Sequence, residues 1–140
     1  MADPTEVTIR AHVLADISSV WEALISPHAI VQWNFAIPEW HCPRAVCDPV
    51  VGGTYTYRME AKDGSMGFDF CGRFTKVVPL ETLASVLGDG RTVVVSLQKN
   101  GRGVDVVQTF QAEGTNPVEM QRQGWQAILN NFKSYVERAA

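Results

Sequence analysis

The dipeptide Asp63-Gly64 lies between two runs that alternate apolar and polar residues, and no other feature of the chain restricts its fold as tightly. Asp-Gly is a strong hairpin signal and favours a type I′ turn, because that turn needs positive φ. If Lys62 pairs with Ser65, the register from Thr54 to Lys76 follows. Tyr57 then faces Phe70, Met59 faces Phe68 and Tyr55 faces Gly72, all on one side. On the other side Arg58 opposes Asp69 and Thr56 opposes Cys71. One register therefore gathers the rings and pairs opposite charges, and a one-residue slip would destroy both matches. Gly72 leaves bare backbone beneath the Tyr55 ring.

Further elements read in the same way. Val7, Ile9, Ala11, Val13 and Ala15 alternate with Thr8, Arg10, His12 and Leu14, predicting a strand over 6–15. Ser19 and Glu22 form a capping box ahead of Val20, Trp21, Leu24 and Ile25, predicting a short helix that Ser26-Pro27 stops. A second helical stretch follows from Pro27 to Trp33. Residues 34–49 contain Pro38, Pro43 and Pro49 and read as irregular. Their rings, Phe35 and Trp40, either staple this loop to the core or cover something apolar. Asp89-Gly90 joins a strand over 81–87 to one over 91–97, and Asn100-Gly101 leads into a strand over 103–111. Val93, Val95, Val104 and Val106 are assigned to the inner face. In the last segment Asn116 caps, Pro117 takes the first position and Glu119 completes the box. Val118, Gln121, Trp125, Ile128, Leu129, Phe132 and Val136 recur at helical spacing up to about Arg138.

Composition excludes several classes. The 140 residues make one domain, 1–140, that is 46% hydrophobic and 19% charged, values of a globular chain. A net charge of -3 is not the basic footprint of a nucleic-acid binder. No run reaches the roughly 18 apolar residues of a membrane span. The opening MADPTEVTIR has neither the basic nor the apolar part of a signal peptide. Three cysteines, Cys42, Cys47 and Cys71, form no closed disulfide set and fit reduced thiols in the cytoplasm.

Six or seven antiparallel strands joined by tight turns make a twisted, curved sheet, and the fold class is α+β. The terminal helix must bury its apolar stripe, and the concave face of the sheet is where it can. The two short helices close one end. A straight helix seldom fills a curved sheet, so a pocket would remain. Tyr55, Tyr57 and Met59 would line it from one strand, and Phe68, Phe70 and Phe74 from the next. Trp125, Leu129 and Phe132 would line it from the helix. Equally, these rings could simply be core. Gly124, costly inside a helix by about 1 kcal/mol relative to alanine, tips the balance toward open space or a close approach.

Several segments together resemble one family. They are Val20-Trp21-Glu22 ahead of Pro27 and Trp33, Val51-Gly52-Gly53 opening a strand, Gly72-x-Phe74, and Gly124-Trp125 in the final helix. The chain resembles the SRPBCC superfamily of START-like and Bet v 1-like proteins. QWN at 32–34, WHCP at 40–43, DGS to FDF at 63–70 and QRQGWQAILNNF at 121–132 are similar to one branch of it. That branch comprises stand-alone bacterial proteins related to the C-terminal domain of the activator of Hsp90 ATPase. The resemblance covers essentially the whole chain. It implies a helix-grip fold and a cavity between sheet and long helix that often holds an apolar or amphipathic small molecule. Family members include binders, transport proteins, polyketide cyclases and co-chaperone domains, so it implies fold more strongly than activity. The eukaryotic activator has an extra N-terminal domain with no counterpart in these residues, which weighs against a true Hsp90-activating role.

The chemistry-bearing residues sort as follows. His12 and His28 read as surface residues. His41, beside Trp40 and Cys42, is the one candidate acid or base, set against a histidine that merely bonds its loop. His41, Cys42 and Cys47 lack the number and spacing of a zinc site, so no metal or cofactor is expected. Cys42 has no basic neighbours in sequence to activate it. Asp69 is expected to pair with Arg58 and Glu113 to face solvent. The leading expectation is a binder of a small apolar or amphipathic molecule, with Trp33, Phe35, Trp40 and His41 guarding the entrance. A cyclase- or hydrolase-like enzyme and a co-chaperone-like interaction module, with Hsp90 as its partner, are the alternatives. The sequence leaves open whether the chain forms a homodimer.

Overall fold

A computed structural model describes residues 5–139, so Ala140 and the first four residues of the N-terminal segment lie outside it. The chain order is β1 (Glu6–Val13), α1 (Ile17–Ile25), α2 (Pro27–Trp33), β2 (Trp40–Cys47), β3 (Thr54–Ala61), β4 (Gly67–Val78), β5 (Thr82–Leu87), β6 (Thr92–Asn100), β7 (Gly103–Gln111) and α3 (Val118–Ala139). The strands form one curled antiparallel sheet in the order β1-β7-β6-β5-β4-β3-β2. The two short helices follow the first strand, and α3 lies on the concave side, which is the helix-grip arrangement.

The β3–β4 hairpin adopts the register read from its sequence: Tyr57 opposite Phe70, Met59 opposite Phe68, Tyr55 opposite Gly72 and Arg58 opposite Asp69. Its turn differs from the expected type I′. The Gly64 amide donates to the Ala61 carbonyl at 3.0 Å, which centres the bend on Lys62 and Asp63, and only Gly64 takes positive φ, at 79°. The Asp63 carboxylate accepts from the Ser65 amide and hydroxyl at 2.9 and 2.6 Å, holding Asp63 in the ordinary region. Arg58 pairs with Asp69 as expected and adds a second partner. Its shorter bond, 2.8 Å, goes to Glu60 on its own strand, and Asp69 lies at 3.5 Å.

Residues 34–49 are not the irregular loop expected. Eight of them form β2, an edge strand paired to β3 with a register shift between His41 and Arg44. Pro43 falls inside that shift. A proline read as a strand breaker is tolerated there, because a bulge on an edge strand needs no ladder N–H. Helix α1 starts a turn earlier than the box at Ser19 suggested. Asp16 is the cap, its carboxylate accepting from the Ser19 amide at 2.7 Å. The approach to α3 is likewise tied by other residues than Asn116 and Glu119. Glu113 accepts from the amides of Thr115 and Asn116, and Gln121 bonds both the amide and the carbonyl of Glu113. Glu119 instead pairs with Arg122 at 3.3 Å.

The core gathers at one side of the sheet. Val7, Ile9 and Val13 of β1, Val104, Val106 and Phe110 of β7, and Phe132 and Val136 of α3 are almost fully buried. As read from the sequence, Val93, Val95, Val104 and Val106 all point inward. Helix α3 is also latched along the edge of β1 by a ladder of polar bonds. Arg122, Gln126 and Lys133 donate to the carbonyls of Thr8, Arg10 and His12, and Glu137 accepts from the Leu14 amide at 2.8 Å. These bonds occupy groups that an edge strand otherwise presents to other chains. Bonding by the Leu14 amide, then by Lys133, holds the Glu137 carboxyl below the usual carboxylate range. Stability from this group is present above that range and is lost as acid protonates it.

Two glycines test the packing with opposite signs. A Cβ on Gly72 would lie 2.5 Å from the Tyr55 hydroxyl oxygen and 2.6 Å from its ring. Gly72→Ala is expected to destabilise by about 1–3 kcal/mol, since that ring is stacked and cannot step aside. A Cβ on Gly124 meets nothing within 4 Å, and Gly124→Ala is expected to stabilise by about 1 kcal/mol. Urea denaturation of both variants measures this.

Candidate functional site

Latching α3 to β1 leaves the inner face of β3, β4 and β5 without a helix directly above it. The result is a cavity of about 250 Å³ between that face and α3. Strand β3 contributes Tyr55, Tyr57 and Met59, and β4 contributes Phe68, Phe70 and Phe74. Helix α3 closes it with Trp125, Ile128, Leu129 and Phe132, and Trp33 and Asn34 close the end beside α2. Strands β5, β6 and β7 supply the floor with Leu83, Ser85, Val93, Val95, Val106 and Gln108, and Leu24 reaches it from α1.

The aromatic wall is ordered by ring contacts. Tyr55 stacks on Tyr57 with centroids 4.9 Å apart and lies 5.0 Å from Phe74. On the opposite side Trp125 lies flat on Phe110 at 4.0 Å. The two walls meet where Phe70 sets its edge against Trp125 at 6.0 Å. Phe132 meets Trp33 edge to face at 5.0 Å, and the Trp33 indole donates to the Ala23 carbonyl, which fixes that end. Such stacked and edge-to-face pairs keep rings from collapsing into the space between them.

Polar groups are few. The Tyr55 hydroxyl and the Ser85 hydroxyl bond each other at 2.9 Å. The Asn34 amide donates to the Met59 sulfur at 3.3 Å. Gln108 is half-buried and lines the cavity, and among the described residues its side chain has no hydrogen-bond partner. Burial pushes the Tyr55 phenol up from its usual value of 10 and the Tyr57 phenol well above it. Burial also raises the Cys42 and Cys47 thiols, so neither is poised as a thiolate.

Ten of the thirteen residues singled out in the sequence line this cavity: Trp33, Tyr55, Tyr57, Met59, Phe68, Phe70, Phe74, Trp125, Leu129 and Phe132. Phe35, Trp40 and His41 do not. Trp40 rests against Phe68 at 6.0 Å, behind the wall, and the Phe35 carbonyl accepts from Asn131 on α3. His41 is half-exposed on β2, its Nε2 3.8 Å from a Glu60 carboxylate oxygen. Trp40 and His41 are carried along the sheet edge by β2 in place of a loop folded over the opening, and Phe35 lies in the link between α2 and β2. Ser85, Gln108 and Asn34 were missed, although two left a trace. Ser85 interrupts the inward series Leu83, Leu87, and Gln108 interrupts Val104, Val106, Phe110. A polar residue at an inward position of an otherwise apolar strand face is the signal that could have found them.

Other features lie apart from this site. A second hollow, about 380 Å³, lies among α1, α2 and α3 and is lined by Ser18, Ser19, Glu22, His28 and Tyr135, among others. Among the described residues no group of three or more His, Cys, Asp or Glu side chains could hold a metal ion. No described helix is long and apolar enough to cross a membrane.

A curled sheet gripping a long helix around an aromatic hollow defines the helix-grip class. The family model described as Activator of Hsp90 ATPase homolog 1-like protein matches residues 14–137. The solution structure of an AHSA1-like protein from Aeromonas hydrophila is 44% identical, with a TM-score of 0.91, over 96% of this chain and 94% of that one. A protein from Cytophaga hutchinsonii is also 44% identical, with a TM-score of 0.82, over 96% and 93% of the two chains. A protein from Chromobacterium violaceum, 22% identical, shares the fold with a TM-score of 0.86 over 96% and 99%. No curated protein matches the chain. The chain belongs to the Activator of Hsp90 ATPase homolog 1-like family, within the SRPBCC type of fold.

The Tyr55–Ser85 pair makes two measurable predictions. Tyr55→Phe leaves a buried hydroxyl unpaired and is expected to cost about 1–3 kcal/mol, part of which Ser85→Ala in the same chain restores. Both phenols titrate higher folded than unfolded, so above about pH 10 the unfolded chain loses protons first. The contribution of these two phenols is therefore expected to be fully present below about pH 10 and to be lost as pH rises above it in urea titrations, with Tyr57→Phe reducing the slope.

Proposed function

We propose that the protein binds an apolar or amphipathic small molecule in the cavity between the sheet and α3, in the reducing interior of the cell. The observation that carries this reading is the hollow itself. Protein interiors are close-packed, and voids larger than a water molecule are few. Lining atoms around a void forfeit dispersion contacts, and a cavity costs stability in proportion to its volume. A space of about 250 Å³ walled by Tyr55, Tyr57, Phe70 and Trp125 is partly open to solvent and presents apolar rings to water, area that an apolar occupant would cover. A concave, mostly apolar space with a few polar groups is also the usual composition of a small-molecule site. The three free thiols fit a reducing compartment.

Two measurements test the proposal. A thermal-shift screen with uncharged and charged aromatic and aliphatic compounds is expected to yield ligands that raise Tm. Amide shift mapping should place their effects on β3, β4, β5 and α3. Val95→Phe, which projects a ring into the cavity, is expected to fold normally and to lose at least tenfold in affinity. Saturable binding that Val95→Phe leaves intact, or no ligand at all across the screen, overturns the reading.

A further inference from the structure

We infer that the cavity selects uncharged, ring-bearing amphiphiles and rejects organic anions of the same shape, with Gln108 as the residue that meets the ligand's polar group. This rests on the cavity being a binding site and goes on to name the chemical class it takes.

None of the nineteen lining residues is Lys, Arg, His, Asp or Glu. A carboxylate, sulfonate or phosphate entering the space would leave water and meet no cation, and an unpaired buried anion is costly. The phenols already report that penalty. Burial raises Tyr55 and Tyr57 because their surroundings disfavour a negative oxygen. A cation fares little better. The ring faces attract it, but no carboxylate lines the space to compensate the water it loses.

What the cavity does offer is neutral hydrogen bonding. Gln108 stands on β7 between Val95 of β6 and Ile9 of β1, at an inward position whose neighbours along the strand are Val106 and Phe110. A carboxamide carries two donors and an acceptor, and that of Gln108 makes no bond to another described residue while staying accessible to solvent, so it is free to bond a ligand. A ligand group that both accepts and donates, such as a hydroxyl, an amide or a carbonyl beside an N–H, would complete it. The Tyr55–Ser85 pair lies two strands away, on the order of 10 Å at about 4.8 Å per strand. Its shared proton leaves one further donor for a second polar atom. The body of the ligand would lie between these points, against Tyr57, Phe70 and Trp125.

The test uses three dyes with one skeleton, read by fluorescence titration of the full chain. N-phenyl-1-naphthylamine reports whether the cavity admits the ring system. 8-Anilinonaphthalene-1-sulfonate and its same-sized uncharged sulfonamide then differ in charge and in the N–H donors that the sulfonamide adds. The sulfonamide is expected to bind at least tenfold more tightly than the sulfonate, with Val95→Phe abolishing its signal. Gln108→Lys, with its fold checked by circular dichroism, is expected to bring the ratio toward unity or reverse it. Should the parent amine bind while the sulfonate equals or exceeds the sulfonamide, the charge selection is wrong and the cavity reading stands. Should the wild-type protein bind none of the three, both fall together. A Gln108→Lys protein that folds and keeps the full ratio overturns the role of Gln108.

Discussion

Everything in this fold depends on where the last helix is tied. Arg122, Gln126 and Lys133 lie on one side of α3 and bond successive outward carbonyls of β1, while Glu137 takes the Leu14 amide. Apolar packing of Phe132 and Val136 alone is non-directional and would let the helix slide toward the middle of the sheet. Hydrogen bonds to a strand edge are directional and set the helix at one side. The offset decides that the β1–β7 half becomes close-packed core and the β3–β5 half becomes cavity wall. A structural choice about an edge strand is in this way also a choice about where the hollow lies.

The wall itself is held by geometry that a curved sheet supplies. Gly72 lets the Tyr55 ring lie over backbone, the ring reaches Ser85 across β4, and Tyr57 stacks behind it. On the far side Phe110 supports Trp125 face to face. Tyr55, Tyr57, Phe70 and Trp125 are each braced by another ring, and Tyr55 by a hydrogen bond as well. A floor of Val93, Val95 and Val106 with Ser85 and Gln108 set among them supplies apolar area and polar points without any charge.

Much of this was legible in the sequence where local rules act alone. Register in the β3–β4 hairpin follows from period two and charge pairing, and the terminal helix follows from a long apolar stripe. Three aromatic positions, Phe35, Trp40 and His41, were assigned to the opening because three prolines made residues 34–49 look irregular. A bulge absorbed Pro43, residues 40–47 joined the sheet, and Trp40 and His41 went with them. Capping was displaced at α1, where Asp16 and Ser19 compete for the same role, because the winner depends on where the preceding strand ends.

Local chemistry determined the elements other than β2, their order and most inward ring positions, since alternation, helical spacing and turn residues act within a few residues of chain. Tertiary structure alone decided that the interior stays hollow. Its volume depends on a helix offset of a few ångströms, set by side chains bonding to backbone more than a hundred residues away, and no window of sequence contains both partners.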